Sequence, residues 1–196
     1  MYKFLYYILI MKLLVVNNLT VELPKLDKAL ADYSYDMIDS SEINKSIFNK
    51  YDKLILSGGH IFNVLYPNKT FQNEAKIIME FKKPLLGICL GFQLICKIYG
   101  ARIEQLKKYE YGLLKINKIK DDILLQGIPD FFYVFESHHN SVKSIGKNLI
   151  PLAISQHGIE IVRHASKPIW GTQFHPEHFG KKSIGRKLIN NFIDFS

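Results

Sequence analysis

The chain has 196 residues, 47% of them hydrophobic and 22% charged, which suits one globular domain with a sizeable core and excludes a disordered or low-complexity protein. Its net charge is +8, yet of 26 basic residues only Arg102, Arg163 and Arg186 are arginines, and the lysines are scattered in runs no longer than two. A phosphate-reading surface would recruit arginine forks, so the charge reads as a lysine-rich solvated surface, with no nucleic-acid partner expected.

The N-terminal run "MYKFLYYILIMKLLVV" is nearly all apolar. It is short of the ~20 residues a membrane-spanning helix needs, Lys12 interrupts it, and it has no small-residue cleavage site. Residues 1–10 read as a short extension or an upstream start, and residues 11–196 as the domain. No membrane partner is expected.

From Met11 onward, "KLLVV" predicts a buried parallel strand, followed by a helix around 24–33 and a brief extended "SYDMID". "DKLILSGG" predicts a buried strand that stops at Gly58 and Gly59. Residues 68–82 have helical spacing, with Phe71, Ala75, Ile78 and Met79 assigned to one side. "PLLGI" is a further strand, and 90–99 a helix. This alternation implies an α/β fold with helices on both faces of a parallel sheet. Past Gly100 the segments "GLLKINKI", "FFYVFES", "LIPLAIS", "GIEIVRH" and "PIWGTQF" are short, extended and separated by turn residues. They predict partly a continuation of the sheet and partly a small antiparallel extension. Ile184, Leu188, Ile189 and Phe192 then recur at helical spacing and predict a C-terminal helix packed on the sheet.

Ligand sites of open α/β sheets form at the carboxyl ends of strands, and three candidate groups fall there. "G-I-C-L-G" places Cys89 between Gly87 and Gly91, the small-x-nucleophile-x-small pattern of a sharp strand-to-helix turn. A helix N-terminus favours the thiolate. Alone, the pattern fits a packed cysteine equally well. "F-H-P-E" adds His175 and Glu177, two apart on an extended segment, as a base and the carboxylate that orients it. Gly58 and Gly59 form the third group. Cys96 lacks flanking glycines and reads as core. The two cysteines, about two helical turns apart, cannot form a disulfide, and a reducing cytoplasm is the simplest compartment. His138 and His139 are weighed as a metal pair and set aside for want of a Cys, Asp or Glu at ligand spacing. His60, His157, His164 and His178 read as surface or packing residues.

Together "LILSGG", "PLLGICLGFQLI" and "KPIWGTQFHPE" resemble the class I (triad) glutamine amidotransferase domain from about Met11 to the C-terminus. The resemblance implies a flavodoxin-like three-layer sandwich with a mostly parallel central sheet. It assigns Cys89 as nucleophile, His175 as base and acid, and Glu177 as its orienting partner. It assigns the backbone N–H groups of Gly59 and Leu90 to the oxyanion hole, and Gly58, Gln93, His139 and Asn140 to substrate binding. It implies L-glutamine as substrate and a separate ATP-pyrophosphatase-type synthetase chain as partner. That partner would use ATP and Mg, so neither cofactor nor metal is expected here. "ESHHNSV" resembles a segment of the GMP synthetase glutaminase, and "HASKPIWGTQFHPE" and "KKYEYGLLKI" resemble the separate glutaminase subunit of archaeal-type GMP synthetases. The start "VVNNLTVEL", His60 in place of the usual Pro and Asn140 in place of the usual Asp depart from that pattern. Three alternatives are a glutaminase component of anthranilate or aminodeoxychorismate synthase, a stand-alone γ-glutamyl amide hydrolase, and a non-catalytic regulatory subunit.

Overall fold

The structure, a computed structural model, describes residues 11–180 and 183–195. The supposed extension at 1–10 lies outside them. In chain order the elements are β1 (Leu13–Asn17), α1 (Leu23–Ala29), β2 (Tyr35–Asp39), β3 (Lys53–Leu56), α2 (Lys69–Glu80), β4 (Leu85–Ile88) and α3 (Leu90–Ile98). They continue with β5 (Arg102–Lys118), β6 (Phe131–Ser144), β7 (Leu149–Ile154), β8 (Ile159–His164), β9 (Ile169–Thr172) and α4 (Gly185–Phe195).

Among the described residues, nine strands join one sheet in the order β2-β1-β3-β4-β9-β8-β6-β5-β7. The first five of these run parallel, with Leu56 opposite both Val16 and Gly87, and Gly87 opposite Gly171. Side chains alternate along β1. Leu13 and Val15 face one core with Leu26 and Leu30 around α1 and Leu188 and Phe192 of α4. Leu14 and Val16 face a second core with Ile77 of α2 and Phe92 and Ile95 of α3. Helices therefore cover both faces, and every residue of β3, β4 and β9 is buried, which is why β4 and the part of β3 after Lys53 read as apolar runs.

The expectation of a mostly parallel sheet with a small antiparallel extension needs correction. β5 and β6 span 17 and 14 residues and pair as one long antiparallel ribbon. β7 pairs with both β5 and β8, so β8-β6-β5-β7 closes on itself. The sheet is mixed, and its antiparallel half is the larger in paired residues. The ribbon is illegible in the sequence because most of β5 is solvated, leaving few apolar residues to mark its length.

Helix α2 also differs in its buried face. Asn68 caps it by accepting from the Thr70 N–H at 2.9 Å, and the inward residues are Phe71, Glu74, Ile77 and Ile78, while Met79 is exposed. The buried stripe runs through Glu74 and Ile77 in place of Ala75, which is half-buried, and Met79. Helix α3 is buried continuously from Leu90 to Cys96, and the Cys96 thiol, at 0% exposure, is pushed well up in pKa by burial, consistent with packing.

Candidate active site

Cys89 is the single residue joining β4 to α3, with φ 48° and ψ −96°. Among the described residues only Leu19 and Cys89 are non-glycine with positive φ, a conformation that costs about 1–3 kcal/mol. Two neighbours hold it there. The Cys89 N–H donates to the Thr172 carbonyl at 2.8 Å, and the Gln93 N–H donates to the Cys89 carbonyl at 2.9 Å. The flanking glycines are required by close approach. A Cβ on Gly87 would lie 2.5 Å from the carbonyl carbon of Gly91, and one on Gly91 would lie 2.6 Å from the Leu56 oxygen. The sharp turn thus depends on both glycines and projects the thiol over the carboxyl ends of β3, β4 and β9.

Gly58 and Gly59 follow β3 at the same edge. A Cβ on Gly58 would fall 3.0 Å from His175 Cε1 and 3.5 Å from Cys89 Cβ, so Gly58 leaves room for the two reactive side chains to lie side by side. A Cβ on Gly59 would meet the Asn18 oxygen at 2.6 Å and Leu90 Cδ2 at 2.7 Å, which places Gly59 against the start of α3. Leu90 is the first residue of that helix, so its N–H has no acceptor within the helix.

His175 lies three residues past β9. Its N–H donates to the Phe135 carbonyl of β6 at 2.9 Å, and the Gln173 N–H donates to the Glu160 carbonyl of β8 at 2.8 Å, so this segment is wedged between β8 and β6. The ring is buried, with Nδ1 at 2.8 Å from Glu177 Oε1. Burial opposes a charge on the imidazole. The Glu177 carboxylate and the Cys89 sulfur beside it outweigh that cost and hold its pKa well above the ordinary value. Cys89, His175 and Glu177 therefore lie side by side as a thiol, an imidazole and a carboxylate, with the charged form of the imidazole favoured.

A cleft of about 310 Å³ opens over Cys89, lined by Gly59, Leu90, Gln93, His139, Asn140 and His175 among others. The structure thus brings every predicted site residue to one place, with Gly58 just beneath. His60 is exposed at the rim, and His139 packs against Tyr109 with ring centroids 4.4 Å apart. Two residues of the polar network, Asn63 and Gln173, are not among those the sequence singled out. Asn140 Nδ2 donates to Asn63 Oδ1 at 3.0 Å and to Gln93 Oε1 at 3.3 Å. Gln93 Nε2 donates to Gln173 Oε1 at 3.3 Å, and the Gln173 amide lies 3.9 Å from Cys89 Sγ. Only Gln173, adjacent to "FHPE", carries a local signal.

Three histidines depart from a plain surface or packing role. His178 stacks on Phe135 at 3.9 Å and contacts Glu22 at 2.7 Å, with its ring 5.9 Å from that of His175. Burial lowers its pKa against the pull of Glu22, so it serves as a neutral brace beside the base. His157 pairs with Glu110 at 2.7 Å. His138 does have acidic neighbours, because strand alternation puts Glu136 on its side of β6 and β8 brings Glu160 against both. Ligand spacings typical of helices and loops do not reveal a pair set two apart on a strand.

The family model for class-I glutamine amidotransferases matches residues 12–195. The glutamine-hydrolyzing GMP synthase subunit of Methanosarcina acetivorans is 34% identical over 94% of this chain and 96% of its own length. The corresponding subunit of Pyrococcus abyssi is 40% identical over 58% of this chain and 60% of its own. Among solved structures, a Thermoplasma acidophilum protein described as a GMP synthase subunit superposes with a TM-score of 0.84 at 27% identity, covering 93% of this chain and 92% of that one. No described helix is long and apolar enough to cross a membrane.

Proposed function

Because the chain belongs to the class-I glutamine amidotransferases, we propose that it hydrolyses L-glutamine to glutamate and ammonia, using Cys89, His175 and Glu177, and passes the ammonia to a separate GMP synthetase chain. The observation that carries the reading is the strained Cys89 set beside the His175–Glu177 pair at the floor of a polar cleft.

The Cys89 thiolate attacks the side-chain amide carbon of glutamine. Charge developing on the carbonyl oxygen is met by the backbone N–H groups of Gly59 and Leu90, the latter at a helix N-terminus. His175, protonated and steadied by Glu177, gives its proton to the departing nitrogen, and ammonia leaves a thioester on Cys89. His175 then takes a proton from water, hydroxide adds to the thioester carbon, and the sulfur departs with glutamate released. Gln93, His139 and Asn140 line the cleft and address the α-amino and α-carboxyl groups. Gly58 keeps the dyad unobstructed.

ATP and Mg belong to the synthetase step, which supports assigning no nucleotide to this chain. The named relatives support the GMP synthetase assignment of the partner. Two unpaired cysteines, one of them the nucleophile, suit a reducing cytoplasm. The test is glutamine hydrolysis by the purified chain, alone and with a GMP synthetase chain, read as glutamate release and as glutamine-dependent GMP formation. Cys89→Ala is expected to abolish both while leaving ammonia-dependent GMP formation by the partner intact. Undiminished hydrolysis by Cys89→Ala would overturn the nucleophile. Hydrolysis that never supports GMP formation, or that favours other γ-glutamyl amides, would overturn the partner.

A further inference from the structure

Glu136, His138 and Glu160 are all at 4% exposure or less, and a ligand-capable atom from each lies within 4.8 Å of the others. Among the described residues no aligned hydrogen bond reaches either Glu136 oxygen or Glu160 Oε2, although the two carboxyl groups stand close enough to interact with each other. His138 Nε2 approaches Glu136 Oε2 to 3.0 Å, yet the pair is not aligned as a hydrogen bond. Donor atoms gathered this closely without aligned hydrogen bonds between them are an arrangement that a shared cation would satisfy. Donors bound to one cation by bonds of about 2.0–2.2 Å stand about 3–3.5 Å apart, which this cluster can reach with small side-chain adjustment. A divalent ion that displaced the protons of both carboxyl groups would leave two carboxylates and a neutral imidazole without net charge, in a buried site where uncompensated charge is costly.

Two further features suit an ion. Ser155 Oγ donates to Glu160 Oε1 at 2.6 Å, orienting that carboxylate from outside the cluster. His138 lines the cleft over Cys89, which supplies a route of entry. At this location β6 and β8 have little direct backbone pairing with each other. β6 and β8 share one registered pair, Val142 with Ile159, and then part around the wedged Gln173–His175 segment.

We propose that Glu136, His138 and Glu160 bind a divalent transition-metal cation of the zinc class, which ties β6 to β8 across the opening that holds His175. One imidazole and two carboxylates suit zinc or manganese better than a soft, thiolate-seeking ion. The role is structural, and the site is separate from the Cys89 thiol.

The experiment titrates the chelator-treated full chain with zinc, reading stoichiometry by calorimetry and by metal analysis after desalting, and Tm with and without metal. The expected result is about one equivalent bound with a rise in Tm. Cys89→Ala should bind equally, while Glu160→Gln and Glu136→Gln, of near-identical shape, should each weaken binding at least tenfold and lose the Tm response. Wild-type protein that takes up no stoichiometric zinc and shows no Tm rise overturns the site, whatever the variants do. Binding that survives in both Gln variants, or is lost in Cys89→Ala, overturns it as well by placing the metal elsewhere.

Discussion

Gly91→Ala isolates the turn that carries Cys89, the proposed nucleophile. The added Cβ would stand 2.6 Å from the Leu56 oxygen, 2.8 Å from Leu56 Cβ and 3.1 Å from the Leu56 carbonyl carbon. None of these atoms is the end of a flexible side chain, and β3 is held on both sides by β1 and β4. Relief must come from α3, which has to lift by roughly 0.8 Å to restore an ordinary contact near 3.4 Å. Such overpacking costs about 1–3 kcal/mol, against up to about 1 kcal/mol gained from replacing a helical glycine, so about 1–2 kcal/mol of stability should be lost. The lift moves Leu90 and the joint at Cys89 relative to Gly59 and His175. A misplacement near 1 Å costs on the order of 100-fold in rate. Urea unfolding should therefore show a folded, mildly destabilised protein, while glutamine hydrolysis falls about 100-fold in kcat. Gly180→Ala, where a Cβ meets nothing within 4 Å, is the neutral control. Wild-type stability and kcat in Gly91→Ala would refute the close-approach argument.

Burial raises Glu74 from 4.5 to about 8, so the folded state holds a proton that the unfolded state releases. Its stabilising effect is full below about pH 4.5 and is lost as pH rises towards 8, by at most about 5 kcal/mol. Thermal melts should show Glu74→Gln flattening the fall in wild-type stability between pH 5 and pH 8. For His175 the folded pKa lies above the unfolded value, so its stabilising effect is present below about 6.5 and lost as pH rises through the folded pKa. Glu177→Gln should then lower Tm more at pH 6 than at pH 9, and should cut kcat by at least tenfold at neutral pH. Asp122 accepts from the Leu124 N–H and from Trp170 Nε1, both at 2.9 Å, and pairs with Arg163. Asp122→Ala should cost about 2–3 kcal/mol in urea unfolding and leave glutamine hydrolysis of the folded protein unchanged.

The parts of this protein that can be read along the chain are those whose causes are local. Gly87 and Gly91 flank Cys89 because a one-residue turn brings strand, helix and neighbouring backbone too close for a Cβ at either position, and His175 and Glu177 meet because an extended chain repeats every two residues. The buried parallel strands announce themselves because both of their faces are dry. What only the tertiary structure decided depends on pairings far apart in sequence. Gln93 and Gln173 are 80 residues apart, and Asn140 and Asn63 are 77 apart. Glu136 is brought to Glu160 by the way β6 and β8 part around His175. A long solvated ribbon and a glutamate buried in a helix stripe likewise carry no hydrophobic period of their own. Local sterics are written into neighbouring residues, whereas the partner of a buried polar group is set by which strand the completed sheet lays beside it.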